Sequence, residues 1–95
     1  MDDLYFPDTD KIEKEDINLA IAIYEKQVEG GFDGSNPYRR LSIIYRKRKD
    51  FDNEIRVLTK AVKVFKKLNR PDAKKKLQDF QNRLEKVKEL KGRNV

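Results

Sequence analysis

Apolar residues in this chain return every three or four positions, in four stretches separated by turn residues, and that spacing constrains the fold more than any other feature. Ile17, Ala20, Ile21, Tyr24 and Val28 make one stripe, between about Glu15 and Glu29. Tyr38, Leu41, Ser42 and Tyr45 make a second, in a helix predicted from Pro37 to about Lys49. Ile55, Leu58, Val62 and Phe65 make a third, from about Phe51 to Leu68, with Val57, Ala61, Val64 and Leu68 as a second stripe beside it. Ala73, Leu77, Phe80, Leu84 and Val87 alternate four and three apart in a fourth helix, expected to run to about Lys91 and to end at Gly92. A period near 3.6 is that of an amphipathic helix. The expected fold is therefore all-α. The third helix, with the widest apolar sector, is expected at the centre, and the fourth, with one narrow seam, as a lid on the bundle or half of a coiled coil.

The connections agree with this reading. Gly30-Gly31 supplies the left-handed stop that helices favour. Ser35 or Asn36 is placed to cap the second helix, with Pro37 tolerated in its first turn, and Asp50 or Asp52 to cap the third. Residues 1–13, where Leu4, Tyr5 and Phe6 precede Pro7-Asp8-Thr9-Asp10, read as a poor helix and an acidic arm. Its aromatic pair would either pack on the body or reach a partner. The division expected is an arm over 1–13, one helical domain over 14–91 and a tail over 92–95.

Charged residues make up 42% of the chain, close to the composition at which chains fail to fold, and it is the ordering of the apolar residues into stripes that argues for structure. There is no Cys and no His. Disulfides and thiolate chemistry are excluded, and the commonest general base and metal ligand are missing. Carboxylate pairs such as Asp50/Asp52 and Glu13/Asp16 lie in highly charged stretches with nothing to tune them, and the Gly pairs in 30–35 lack phosphate-loop spacing. The expectation is a protein without catalysis, cofactor or metal. Met1-Asp2-Asp3-Leu4 has neither the basic start nor the apolar run of a secretory leader, and the apolar run from Leu19 to Ile23 is far too short to span a bilayer. A cytoplasmic location with no membrane partner is expected. Residues 1–35 hold ten acidic side chains against three lysines, a net of −7, while residues 36–95 hold twenty basic against seven acidic, a net of +13. Such a split implies an acidic partner for the body, or neutralisation of one part by the other, within or between chains.

Sliding the chain against itself by 34 residues brings Asp16 onto Asp50, Ile17 onto Phe51, Ile21 onto Ile55, Ile23 onto Val57, Tyr24 onto Leu58 and Val28 onto Val62. Within the repeat, Tyr38-Arg-Arg-Leu41-Ser42-Ile-Ile-Tyr45 is followed by the turn Lys49-Asp50-Phe51 and then by Leu58 and Ala61. This resembles a tetratricopeptide repeat, which has the same period. The resemblance covers residues 35–68 well and 16–29 in part, and it departs at Glu54, which stands where the family pattern has a small residue. It implies antiparallel helical hairpins in a right-handed array of about four helices, the last a capping helix, because one hairpin cannot bury both its faces.

In that family the first helix of each repeat lines the concave groove, and here that helix offers Arg39, Ile43, Arg46 and Lys47 on one side of the core stripe, with Asn36 at its start. The resemblance therefore implies a binding module for proteins that presents a basic groove, with an apolar spot at Ile43, to an acidic or carboxylate-bearing segment. The competing reading of the same residues is a solvated helix face. Two further partners stand as alternatives. The runs Arg46-Lys47-Arg48-Lys49 and Lys74-Lys75-Lys76 would suit nucleic-acid phosphates, although no recognition motif accompanies them. The acidic arm could also meet the basic body of a second copy, giving a homo-oligomer.

Overall fold

The computed structural model describes residues 8–93, which form five helices: α1 (Thr9–Glu15), α2 (Ile17–Glu29), α3 (Asn36–Lys47), α4 (Phe51–Lys67) and α5 (Pro71–Arg93). The aromatic pair of the arm, Tyr5 and Phe6, lies outside this range. The four predicted helices are present within two residues of their expected ends, except that α5 runs through Gly92 to Arg93 instead of stopping there. Gly92 has nothing within van der Waals reach of an added Cβ, so no turn forces the helix to end.

Helix α1 takes up residues 9–13 of the segment read as a poor helix and an acidic arm. Ile12 is its one apolar residue to pack against the core, too few for a periodic signal. Its start comes from Asp8, whose carboxylate accepts a hydrogen bond from the Lys11 amide. One residue, Asp16, separates it from α2, and α1 turns back so that Asp10 and Glu13 both reach the Tyr24 hydroxyl.

Aspartates start three of the helices in the same way. Asp16 and Asp50, 34 residues apart, cap α2 and α4 by accepting from the Leu19 and Asn53 amides. Ser35 precedes α3 but makes no side-chain cap; its hydroxyl accepts from Lys76 Nζ instead. Helices α2 and α3 end alike, with a residue of positive φ after the cap. At the end of α2, Gly31 (φ 71°) donates to Val28 O and Phe32 to Gln27 O. At the end of α3, Lys49 (φ 57°) donates to Arg46 O and Asp50 to Tyr45 O. A lysine is held there against its steric preference. Replacing Lys49 with Gly is expected to raise the unfolding free energy by about 1 kcal/mol, read from urea titration; a loss of stability would contradict the strained turn.

The helices stack in two layers. Lys76 donates to Ser35 Oγ and Arg83 to Ser42 Oγ, both across 41 residues, so α3 and α5 run parallel and side by side. Asn36 and Arg40 of α3 reach Asp10 and Glu13 of α1 in the same sense. The odd-numbered helices thus form one layer and α2 and α4 the other, with Arg56 of α4 bound to Glu25 of α2 at 2.6 Å. Between the layers lies a core of Ala20, Tyr24, Val28, Tyr38, Leu41, Ile44, Tyr45, Val57, Leu58, Ala61, Phe65, Ala73, Phe80 and Val87, all buried. Tyr38, Phe65 and Phe80 join α3, α4 and α5 there, with ring centroids 5.3–6.0 Å apart. The α5 seam is spent on this core: Ala73, Phe80 and Val87 are buried and Leu77 and Leu84 pack against it. It is a lid within the chain. No helix among the described residues is long and apolar enough to cross a membrane.

Candidate functional site

Helix α3 turns Tyr38, Leu41 and Tyr45 into the core, which leaves Arg39, Ile43, Arg46 and Lys47 on its other side. The five expected contact residues divide by what they touch. Arg39 and Lys47 are exposed, and their side chains make no hydrogen bond or ion pair among the described residues. Ile43 is half-buried beside them. Asn36 is engaged, its amide donating to Asp10 of α1 at 3.1 Å. Arg46 is engaged more deeply: Nε donates to Glu54 Oε2 at 2.9 Å, Nη2 lies 2.8 Å from the same oxygen, and Nη2 also donates to the Arg83 carbonyl at 3.3 Å.

Glu54 explains why Arg46 is held. It stands 34 residues after Ala20, and both are 0% exposed, so the carboxylate occupies a place that its counterpart fills with a methyl group. A buried carboxylate requires a cation or several donors. Arg46 supplies them to Oε2, while Oε1 is buried with no hydrogen-bond partner among the described residues.

The parallel register of α5 adds Arg83 to the same face. Its Nε donates to Ser42 Oγ at 3.2 Å, and that hydroxyl donates to the Arg39 carbonyl at 2.8 Å. Burial pushes the Arg83 guanidinium below its ordinary pKa; Arg46 and Arg39 push it the same way, while Glu54 pulls it back. An arginine stays charged under any such shift. Three guanidinium groups therefore sit on one face with one carboxylate acting on Arg83, and that carboxylate is already taken up by Arg46. Lys76, one layer position back on α5, adds a further cation at Ser35. Lys76 was visible in the sequence only as part of the basic run Lys74-Lys75-Lys76, and Arg83, an isolated arginine on the polar side of α5, carried no signal of its own. The signal that pointed here was Glu54, a charge at a position whose pattern calls for a small residue.

Elsewhere several acids of the first third find partners inside the chain. Asp10 is held below the usual carboxylate range by the Tyr24 hydroxyl and then by Asn36, and Glu13 chiefly by Arg40, which binds it through two nitrogens. Burial raises Glu25, but Arg56 and Tyr45 outweigh it, and its carboxyl ends below the ordinary value. The Tyr45 hydroxyl, which donates to Glu25, is pushed up to about 12 by burial and by that carboxylate. Asp33 pairs with Arg70 at 3.3 Å. Of the two ways the charge split could be resolved, Glu13, Glu25 and Asp33 use the one within the chain.

Compared with protein families, with curated proteins and with solved structures, the chain has no match.

Proposed function

We propose that this chain is a non-enzymatic protein–protein interaction module of tetratricopeptide type, whose α3–α5 face receives an acidic or carboxylate-bearing segment of a partner protein. The observation that carries the reading is the placement of Arg39 and Arg46 on α3 beside Arg83 on α5, where Glu54 is already bound to Arg46 and Asp10 is the other carboxylate acted on by Arg39. Like charges repel, and a fold that collects three arginines on one face gains most from an anion placed over them. Guanidinium groups donate hydrogen bonds and cannot act as bases at ordinary pH, so a face built from them suits recognition rather than proton transfer. The 34-residue spacing of the Asp16 and Asp50 caps and the two-layer stacking support the repeat assignment.

Fluorescence anisotropy with a short Glu-rich peptide and its Gln-substituted counterpart tests the reading. The Glu peptide is expected to bind and the Gln peptide to bind at least about tenfold more weakly. The double variant R39E/K47E, both positions exposed and unpaired among the described residues, is expected to lose the Glu peptide while keeping the melting temperature of the parent. Equal binding of the two peptides, or full binding by the double variant, would remove the groove reading.

A further inference from the structure

We propose that Arg39, Arg46 and Arg83 together seat a phosphate monoester, the doubly charged group of a phosphorylated serine or threonine in a partner polypeptide. The inference rests on the reading above and names the group that the face takes. Arg39 and Arg46 are seven residues apart on α3, about 10 Å along the helix axis, and Arg83 enters from α5 opposite Ser42, between them. Hydrogen bonds hold together the stretches of α3 and α5 that carry them: Arg46 Nη2 to the Arg83 main-chain carbonyl, Arg83 Nε to Ser42, and Ser42 to the Arg39 main-chain carbonyl.

The donors are also oriented. Glu54 takes Nε and Nη2 of Arg46, leaving Nη1 without a partner among the described residues. Ser42 takes Nε of Arg83, leaving both of its terminal nitrogens without one. Arg39 keeps its whole fork. Two guanidinium groups pinned at one edge and a third free to close over them form a seat with little side-chain entropy left to lose. The three guanidinium groups outnumber the carboxylates near them, Glu54 bound to Arg46 and Asp10 acting on Arg39, so the seat keeps a net positive charge. A side-chain carboxylate brings one charge and two oxygens, as does a phosphodiester in its non-bridging atoms. A phosphate monoester brings nearly two charges and three terminal oxygens, one for each of the three guanidinium groups, and so gains more from this seat than either.

The test uses the full chain and fluorescein-labelled peptides identical except for one central residue, which is phosphoserine, glutamate or serine. The phosphoserine peptide is expected to bind about tenfold more tightly than the glutamate peptide. That advantage should shrink to less than about twofold in R39Q and in R83Q, and R83K, which keeps the charge but loses the fork, should recover only part of it. Arg39 is exposed, so R39Q reports on the seat even where R83Q disturbs folding. Equal affinity for phosphoserine and glutamate would overturn the phosphate seat and leave the acidic-segment reading standing; failure of both peptides to bind would overturn both. An advantage for phosphoserine that persists undiminished in both glutamine variants would place the group elsewhere. A single-stranded oligonucleotide that displaces the glutamate peptide more effectively than the phosphopeptide does would overturn the proposal in favour of nucleic acid.

Discussion

Replacing Arg46 with Ala is expected to lower the unfolding free energy by about 3 kcal/mol, because it strips a wholly buried carboxylate of the cation bonded to it. Glu54 cannot turn to solvent at 0% exposure, and its Oε1 already lacks a partner among the described residues. The cost is therefore that of an orphaned charge rather than of a lost attraction. The two halves of the pair are unequal, which makes the claim testable in a form that ordinary packing loss would not imitate. Arg46 is partly exposed and can be rehydrated when its partner goes, so Glu54→Ala should cost less than Arg46→Ala. Replacing both with apolar residues, R46M/E54L, should restore most of the stability, since a dry core of similar volume needs no ion pair. For a domain of this size each kcal/mol shifts the melting temperature by roughly 4–8 °C, so all three variants are resolved by thermal unfolding. A loss below about 1 kcal/mol for Arg46→Ala would mean that Glu54 finds another way to be neutralised. The same pair decides which residues of the candidate face can be substituted in a binding test. Reversing Arg46 would set a second carboxylate beside Glu54 and damage the fold, whereas Arg39 and Lys47 can be changed safely.

Replacing Phe80 with Ala should cost about 3–4 kcal/mol, the usual range for removing a buried aromatic ring. Phe80 is 3% exposed and lies 5.3 Å from the Phe65 ring and 6.0 Å from that of Tyr38. It is the point at which α5 enters the core shared by α3 and α4. Arg83, less than a turn further along, reaches Ser42 only while that docking holds. The variant should thus lose affinity for acidic peptides although every arginine of the face remains. Hydrogen exchange should show early loss of protection across Pro71–Arg93 with α2 to α4 still protected, as expected if α5 is the outermost cooperative unit. Phe80→Leu, which keeps most of the volume, should be far milder. Unchanged protection of α5 in F80A would show that its seam docks without this ring.

Helices α2 to α5 were legible because each carries enough apolar residues at helical spacing to set its own periodicity. Caps and stops were legible where chemistry is local, as with Asp16, Asp50 and Gly31, each of which acts on groups within four residues. Helix α1 was not, because seven residues with Ile12 as their single core contact carry no period; Asp10 and Glu13 hold it in place by reaching Tyr24 and Arg40, neighbours only after folding. Ser35 had the right chemistry for a cap and a different use, because Lys76 arrives from 41 residues away.

The candidate face divides along the same line. Its α3 half, Arg39, Ile43, Arg46 and Lys47, follows from helical geometry around the Tyr38-Leu41-Tyr45 stripe, and local spacing is sufficient to place it. Its α5 half, Arg83 and Lys76, follows from the parallel register of two helices separated by a third, and register is settled by packing across the core. By itself, then, the sequence determined which segments are helical and which sides are apolar, because a periodicity is a property of consecutive residues. Only the tertiary structure decided that Arg46 serves Glu54 and that Arg83 joins Arg39, because the energy of a buried charge depends on what the fold brings to it from far along the chain.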